Sequence, residues 1–140
     1  MDRYLDQARY GPTWLKRDGV ALIMLNALNA GAAKLGHYDL HAYVIMANHV
    51  HVLVTPHVNP STMLHSLKGF SAREANRLLG RTGEPFWQSE SYDHWVRDQR
   101  EFDRIRRYIE NNPVSAGLVS QPEDYRWSSG FAGSIAGIAG

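Results

Sequence analysis

The sequence predicts an α+β fold in which helices pack on one antiparallel sheet. Apolar periodicity gives the order helix, strand, strand, helix, strand, helix, which is typical of an α+β sandwich. The first two strands are joined only by Ala47 and Asn48, and so short a link predicts an antiparallel β-hairpin. The chain has 140 residues, 44% of them hydrophobic, which suffices for one domain with its own apolar core.

The predicted elements follow one another without a linker or an internal repeat. The first helix should end before Gly31, because glycine commonly stops a helix. The next helix should begin after Pro60, with Ser61 as its cap. We assign residues 1–131 to this single domain and residues 132–140, mostly small and Gly-rich, to a flexible tail. The predicted bounds are helix 19–30, strands 40–46 and 49–55, helix 61–80 and extended segment 86–97.

The final helix has both a start and a stop in its sequence. Asp98, followed three residues later by Glu101, forms a capping-box pattern. Pro113 should end the helix, because proline has no N–H to donate and clashes with the preceding turn. The helix is therefore predicted over 99–111. Its buried stripe comprises Phe102, Ile105 and Ile109.

Two histidines, His49 and His51, form a candidate metal site. Alternate residues of a strand share one face, so both imidazoles point to one side of the sheet. The residues that point into a core on the other side are Val50, Val52 and Val54. Two neutral imidazoles leave positions open for a third ligand and for substrate oxygens, as metal-assisted phosphodiester chemistry requires. The chain has 7 histidines, so this spacing alone is weak evidence.

Three polar residues share one side of the final helix. Tyr108 and Asn112 are four residues apart, so their side chains are neighbours, and Arg104 lies one turn before Tyr108. Taken alone, Tyr108 is more simply interpreted as an interfacial tyrosine, since a tyrosine combines an apolar ring with a polar hydroxyl.

Four blocks in one order resemble the single-tyrosine HUH transposase superfamily, in its branch of REP-associated tyrosine transposases. The first block contains both histidines, and the last begins at Tyr108. Together the blocks cover about 90 residues, which makes the resemblance more specific than any one motif. The matching stretches are 41–54, 67–76, 86–98 and 108–119, with a shorter match at 124–129.

The resemblance implies a ferredoxin-like sheet and an enzyme, a DNA transposase and nucleotidyltransferase. Such enzymes cleave and rejoin single-stranded DNA beside hairpins through a 5'-phosphotyrosine, with a divalent metal (Mg or Mn) and without ATP. On this chain the resemblance implies Tyr108 as the catalytic nucleophile. It implies that the metal ligands are His49, His51 and Asn112.

A DNA-binding surface on this chain must be local, because the formal net charge is only +1. One candidate is a basic stripe on the second predicted helix, where arginines recur every four residues. A solvated surface stripe is the simpler interpretation, whereas the resemblance favours contacts with phosphates. The candidate DNA-binding residues are Lys68, Arg73, Arg77, Arg81 and Arg104.

The N-terminal region departs from the family pattern. Relatives begin with a strand before the first helix, whereas residues 1–17 contain few β-branched residues and include Gly11 and Pro12. We therefore expect the first strand of the sheet to be missing, or to be supplied by a partner in a strand-swapped dimer. Family members occur both as monomers and as homodimers, and both states remain open at this point.

Three functions are consistent with these residues. The first is the metal-dependent transposase just described. The second is a truncated, inactive remnant of the same family, which would keep salt-sensitive binding to DNA hairpins and form no covalent product. The third is an unrelated metal-dependent hydrolase that uses the histidine pair and a bound water, and it would stay active after loss of Tyr108.

Composition excludes several other classes. The chain has no cysteine, so disulfides and thiolate metal sites are excluded and a reducing cytoplasm is the expected location. The first residues contain no apolar signal core, and no run approaches the roughly 18 apolar residues of a membrane span. We therefore expect no membrane partner.

Overall fold

The structure is a computed structural model, and it describes residues 2–7, 14–87 and 92–133. One antiparallel sheet lies at the centre of these residues. Within them, four strands lie in the order β2-β3-β1-β4. The strands are β1 Arg3–Gln7, β2 Tyr38–Ile45, β3 Val50–Pro56 and β4 Tyr92–Trp95. The helices are α1 Asp18–Ala33, α2 Pro60–Leu79 and α3 Gln99–Ser115, with short 3-10 turns at Trp14–Lys16 and Pro122–Asp124. The predicted α+β class is confirmed.

The chain contributes its own first strand, so the expectation that this strand is missing or supplied by a partner is wrong. β1 lies inside the sheet and pairs antiparallel with β3 on one side and β4 on the other. The resulting order is the ferredoxin-like order that the resemblance implies. Arg3–Gln7 contains no β-branched residue, but a strand with partners on both sides is held by its neighbours more than by its own propensity. Gly11 and Pro12 lie outside the described residues.

The larger apolar cluster lies on the sheet face that α1 and α2 cover. As predicted, Val50, Val52 and Val54 of β3 point into it, and each is at most 1% exposed. They pack there with buried residues of both helices, which include Val20, Leu25, Leu28, Met63 and Leu67. Strand alternation therefore assigns the odd-numbered residues of β3 to the opposite face.

α1 continues past Gly31 to Ala33, which corrects the predicted stop. The ring of Tyr38 packs directly on Gly31, and a Cβ at this position would collide with the Tyr38 hydroxyl. That hydroxyl donates a hydrogen bond to the carbonyl oxygen of Leu28 at 2.6 Å. Gly31 therefore allows α1 to approach β2 closely and does not end the helix.

α2 begins at Pro60, and its cap is Asn59 instead of the predicted Ser61. The Asn59 side-chain oxygen accepts a hydrogen bond from the backbone N–H of Ser61 at 2.9 Å. Proline is favoured at the first helical position because its missing N–H would have no partner there, so the residue before it provides the cap.

α3 begins as predicted and ends later than predicted. Asp98 caps it by accepting a hydrogen bond from the backbone N–H of Glu101 at 2.8 Å. The helix then includes Pro113 and runs to Ser115, so the predicted stop at proline is wrong. Proline removes one donor here, in the last turn, and Ala116 N–H still closes that turn on the Asn112 carbonyl at 2.9 Å.

The face that α3 covers holds a smaller apolar cluster. Ile105 and Ile109 of α3 pack there as predicted, and Phe102 is partly buried beside them. The other members come from the sheet and its border: Ala42, Val44, Met46, Leu53 and Val96. Among the described helices, none is long and apolar enough to cross a membrane.

A segment after α3, residues 127–129, runs along the outer edge of β2. The N–H of Ile45 donates to the carbonyl oxygen of Trp127 at 2.8 Å, and the N–H of Ser129 donates to the carbonyl oxygen of Tyr43 at 3.0 Å. The Ser129 hydroxyl also donates to the Glu110 carboxylate of α3 at 2.8 Å. The segment thus ties the strand edge to the helix. Of the predicted tail, residues 134–140 lie outside the described residues.

Candidate active site

The two histidines lie where β3 begins, on the face covered by α3. Their rings meet edge to face, with centroids 4.7 Å apart and an interplanar angle of 85°. His51 is buried, with 2% of its surface exposed, whereas His49 is partly exposed. The predicted convergence of the two imidazoles on one side of the sheet is therefore present in the structure.

The hydrogen bond at His49 indicates which ring nitrogen carries the lone pair. Its Nδ1 lies 2.9 Å from the side-chain oxygen of Asn48. An amide oxygen only accepts, so Nδ1 carries the proton and Nε2 has the lone pair that a metal requires. A histidine that donates its second ring N–H to an oxygen is the usual arrangement of a metal ligand.

Tyr108 faces this histidine pair from α3. The centroid of its ring is 5.7 Å from that of His51, at an interplanar angle of 79°. The isoleucines on either side, Ile105 and Ile109, are buried and fix this part of the helix on the sheet. Tyr108 itself is 54% exposed, so a nucleic acid strand in solvent can reach it. The structure thus brings together His49, His51 and Tyr108.

Other tyrosines have structural surroundings. The Tyr125 hydroxyl donates to the carbonyl oxygen of Ile45 at 2.7 Å, and burial raises the pKa of Tyr125 to about 12. Burial also raises the pKa of Tyr43. These two side chains support the edge of the sheet, and neither lies on the exposed surface where Tyr108 stands.

The donors available to a divalent metal suit a mixed nitrogen and oxygen site. Asn112, the predicted third ligand, is partly buried one turn after Tyr108 on α3. In the described part of the chain, no three His, Cys, Asp or Glu side chains are grouped to hold a metal. Among the described residues an amide is therefore a candidate third ligand beside His49 and His51, and an amide oxygen is suitable for Mg or Mn.

Glu101 organises the beginning of α3 through contacts that the sequence does not reveal. It is 4% exposed, and its carboxylate accepts from His94 Nε2 at 3.0 Å and from Arg104 Nη2 at 3.1 Å. Arg97 donates three times, from its backbone N at 2.9 Å, Nε at 3.1 Å and Nη2 at 2.8 Å. These hydrogen bonds lower the pKa of Glu101 to about 2. The Arg97 side chain has the largest effect, followed by the Arg97 backbone and then by His94.

A second basic stripe lies on α3. Of its residues, only Arg104 was predicted from the sequence as a DNA-binding candidate. Arg100, Arg104 and Arg107 have the spacing of one helix face, and they border two surface depressions. Arg104 and Arg107 line both depressions, and Tyr108 lines the second. The sequence signal was available as arginines at spacings of four and three residues that end beside the tyrosine.

The predicted stripe lies on α2 and, for Arg81, just past the end of α2. It is on the opposite face of the sheet from Tyr108, because α2 packs on the valine side of β3. Arg77 pairs with Glu74 at 3.2 Å, and Arg81 pairs with Glu84 at 3.3 Å. Arg81 also lies over the Trp14 ring, 4.4 Å from its centroid. Of the other two members, Arg73 is exposed and Lys68 is partly buried, with its pKa lowered by that burial. DNA contact by this stripe stays a prediction.

The sheet order and the His-Val-His pair opposite a helical tyrosine define the single-tyrosine HUH class of fold. The profile of the family described as "Transposase IS200 like" matches residues 14–112, well over half of the chain. The chain therefore belongs to the IS200-like transposase family. A comparison with curated protein sequences gave no match.

Solved structures give the same fold. A REP-associated tyrosine transposase bound to a REP hairpin superposes with a TM-score of 0.74 at 18% identity, over 91% of this chain and 74% of that one. A proposed transposase from Deinococcus radiodurans R1 superposes with a TM-score of 0.57 at 25% identity, over 79% of this chain and 89% of that one. The ferredoxin-like, HUH transposase-like fold is thus confirmed.

Proposed function

We propose that this protein is a metal-dependent single-stranded DNA endonuclease and transposase, which cleaves and rejoins DNA near hairpins through a 5'-phosphotyrosine. The observation that carries the proposal is the position of Tyr108, an exposed phenol whose ring centroid lies 5.7 Å from the buried His51. A tyrosine with a purely structural role has no need of two adjacent imidazoles. A phosphoryl-transfer site needs both a nucleophile and groups that hold the phosphate in place.

The chemistry consists of two transesterifications. The Tyr108 oxygen attacks the scissile phosphorus, a P–O bond to tyrosine forms, and the bond to the 3'-oxygen of the upstream nucleotide breaks. The phenolic proton is lost to solvent, and the departing 3'-oxygen becomes a hydroxyl. In the reverse sense, a 3'-hydroxyl of a second strand attacks the phosphotyrosine and Tyr108 leaves as phenolate. The number of phosphodiester bonds is conserved, so ATP is not required.

His49, His51 and Asn112 would hold the divalent metal, Mg or Mn. When bound, that metal polarises the scissile phosphate and neutralises its charge, which contributes several kcal/mol to the transition state. The proton on His49 Nδ1, held by Asn48 at 2.9 Å, supports this role because it directs Nε2 to the ligand side. His51 is surrounded by protein, so its ring orientation is fixed before any substrate arrives.

The substrate that we propose is DNA with a hairpin. The superposed REP-associated tyrosine transposase is bound to a REP hairpin, and the present chain shares its fold over 91% of its length. The presence of β1 also supports an active protein. The remnant hypothesis was based on a missing first strand, and the strand is in place at the centre of the sheet.

The test is covalent capture of DNA. The protein is incubated with Mn and hairpin oligonucleotides labelled at the 5' or the 3' end, and an SDS-resistant shifted band is sought. We expect a band that carries only the label downstream of the cut and that is absent for Tyr108→Phe and His49→Ala. The matched control is Tyr43→Phe, which removes a hydroxyl from a tyrosine on β2 and should leave the band unchanged.

The other outcomes identify the alternatives. Binding that is salt-sensitive without a band, from folded protein given a range of DNA hairpins, overturns the proposal in favour of the inactive remnant. Cleavage that survives Tyr108→Phe overturns it in favour of a hydrolase that activates a water.

A further inference from the structure

We infer that the solvent face of α3 binds the phosphates of the DNA strand next to the scissile bond, through Arg100, Arg104 and Arg107. This inference extends the proposed function, since it assigns the backbone-binding part of the same site. It differs from the sequence-based expectation, which assigned phosphate contacts chiefly to α2.

The three arginines form a line on one side of α3. Spacings of four and three residues return to the same helix face, and at a rise of about 1.5 Å per residue the line is about 10 Å long. At the stacked spacing of roughly 3.4 Å per nucleotide, this length corresponds to about three phosphates of one strand. Tyr108 lies four residues after Arg104 and lines one depression with Arg104 and Arg107, so the line ends beside the attacking group.

The surface along this line is concave. A depression of about 600 Å³ is lined by Arg97, Arg100, Arg104 and Arg107 together with Asp98 and Glu101. A second depression, of about 570 Å³, is lined by Arg104, Arg107, Tyr108 and Asn111, with Glu110 and Glu123 among its other residues. The two depressions share Arg104 and Arg107, so they adjoin each other, and Tyr108 lies at the second. Glu110 and Glu123 repel phosphates and so favour the side of the second depression on which the arginines lie.

The charges of these arginines remain available to a ligand. Arg104 is bonded to the buried Glu101 at 3.1 Å and still keeps 66% of its side chain exposed. For Arg100 and Arg107, no carboxylate among the described residues lies within ion-pair distance. Arg106, on the same helix, differs because it approaches Glu110 at 3.8 Å. The contact with Glu101 also limits the movement of Arg104, which lowers the entropy lost when a phosphate binds.

The experiment measures the salt dependence of single-strand binding. The protein carries Tyr108→Phe, so that no covalent product forms, and the probe is an unstructured oligothymidine in EDTA. Each of Arg100→Gln, Arg104→Gln and Arg107→Gln should lower the slope of log Kd against log salt by about 0.7, and the triple variant by about 2. Arg104→Lys should restore the slope, because lysine keeps the charge.

Arg106→Gln is the matched control, since it removes one positive charge from the same helix at a residue that lines neither depression. The inference is overturned if the triple variant keeps the full salt slope. This holds also if the wild-type protein forms a covalent adduct in the capture experiment, because the proposed function would then stand without this binding surface. It is overturned also if Arg106→Gln lowers the slope as much as its neighbours do, because net charge alone would then explain binding. A lowered slope in a protein that forms no adduct supports the inference and refutes the proposed function.

Discussion

The two faces of the sheet differ in what they contribute, although one strand serves both. On the α1 and α2 face, the valines of β3 complete an apolar cluster. On the α3 face, the alternate positions of the same strand are His49, His51 and the apolar Leu53. The comparison shows that a large apolar cluster on one side leaves the other side able to hold polar groups. Substitutions on the two faces should therefore affect different properties.

The largest difference should come from two neighbours on β3. His51→Ala removes a proposed metal ligand, and we expect adduct formation to fall by more than the roughly 100-fold typical of outer-shell losses. Val52→Ala removes two buried methyl groups on the opposite face and should cost about 1.5–3 kcal/mol of stability. It should leave adduct formation by the folded protein unchanged. Denaturant unfolding and single-turnover capture measure the two effects. A large activity loss in Val52→Ala would contradict the division between faces.

The next prediction compares the loss of a buried side chain from each of the two apolar clusters. Leu25→Ala and Ile109→Ala each remove a fully buried side chain, and each should destabilise the protein by about 2–5 kcal/mol. Ile109 adjoins Tyr108, so its loss should also slow adduct formation per folded molecule. Leu25 lies in α1 and should not have this second effect. Equal activity in both variants would mean that the smaller cluster does not position the tyrosine.

A smaller, pH-dependent effect should arise from Glu101 on the α3 face. Its folded-state pKa is lowered to about 2, so the ionised carboxylate stabilises the fold. This contribution is fully present above the ordinary glutamate pKa of roughly 4.3, and it is lost as pH falls toward about 2.

The matching variant is Glu101→Gln, which keeps the shape and removes the charge. It should lower the melting temperature at neutral pH. The gap in melting temperature between variant and wild type should shrink as pH falls toward about 2, because the wild-type carboxylate then becomes protonated. Melting curves across the acid range check this. A gap between variant and wild type that stays constant down to pH about 2 would refute it.

The smallest effect is expected at Arg81, which follows the end of α2. Arg81→Gln removes a pair with Glu84 and a contact with the Trp14 ring, at a cost of about 0.5–1 kcal/mol. Because Arg81 lies across the sheet from Tyr108, the salt slope of DNA binding should not change. A decrease of about 0.7 in that slope would instead support the stripe on α2 as a second DNA surface.

Local patterns predicted those features of the site that depend on periodicity. Strand alternation predicted His49 and His51 on one side of the sheet, and helical spacing predicted Tyr108 and Asn112 on one side of α3. Such patterns say nothing of contacts between distant elements. The carboxylate of Glu101 joins His94 of β4 to α3, and no spacing within the helix indicates this. For the same reason β1 was missed, since its partners hold it in the sheet.

Two errors have a more local cause. Gly31 and Pro113 were both interpreted as helix stops, because these residues often end helices. In the structure, Gly31 is required by the ring of Tyr38, which only tertiary packing reveals. Pro113 stands in the last turn, where one missing donor does not prevent the helix from continuing to Ser115. Residue type therefore predicted that each helix ends nearby, but it wrongly assigned the stop to the glycine and to the proline.

The segment 127–129 has a consequence for how copies of this protein meet. It occupies the hydrogen-bonding groups of Tyr43 and Ile45 on the outer edge of β2. An uncovered edge of this kind is a template on which another chain can add a strand. A chain shortened before Trp127 would expose that template, and growth of fibrils from edge to edge would compete with folding.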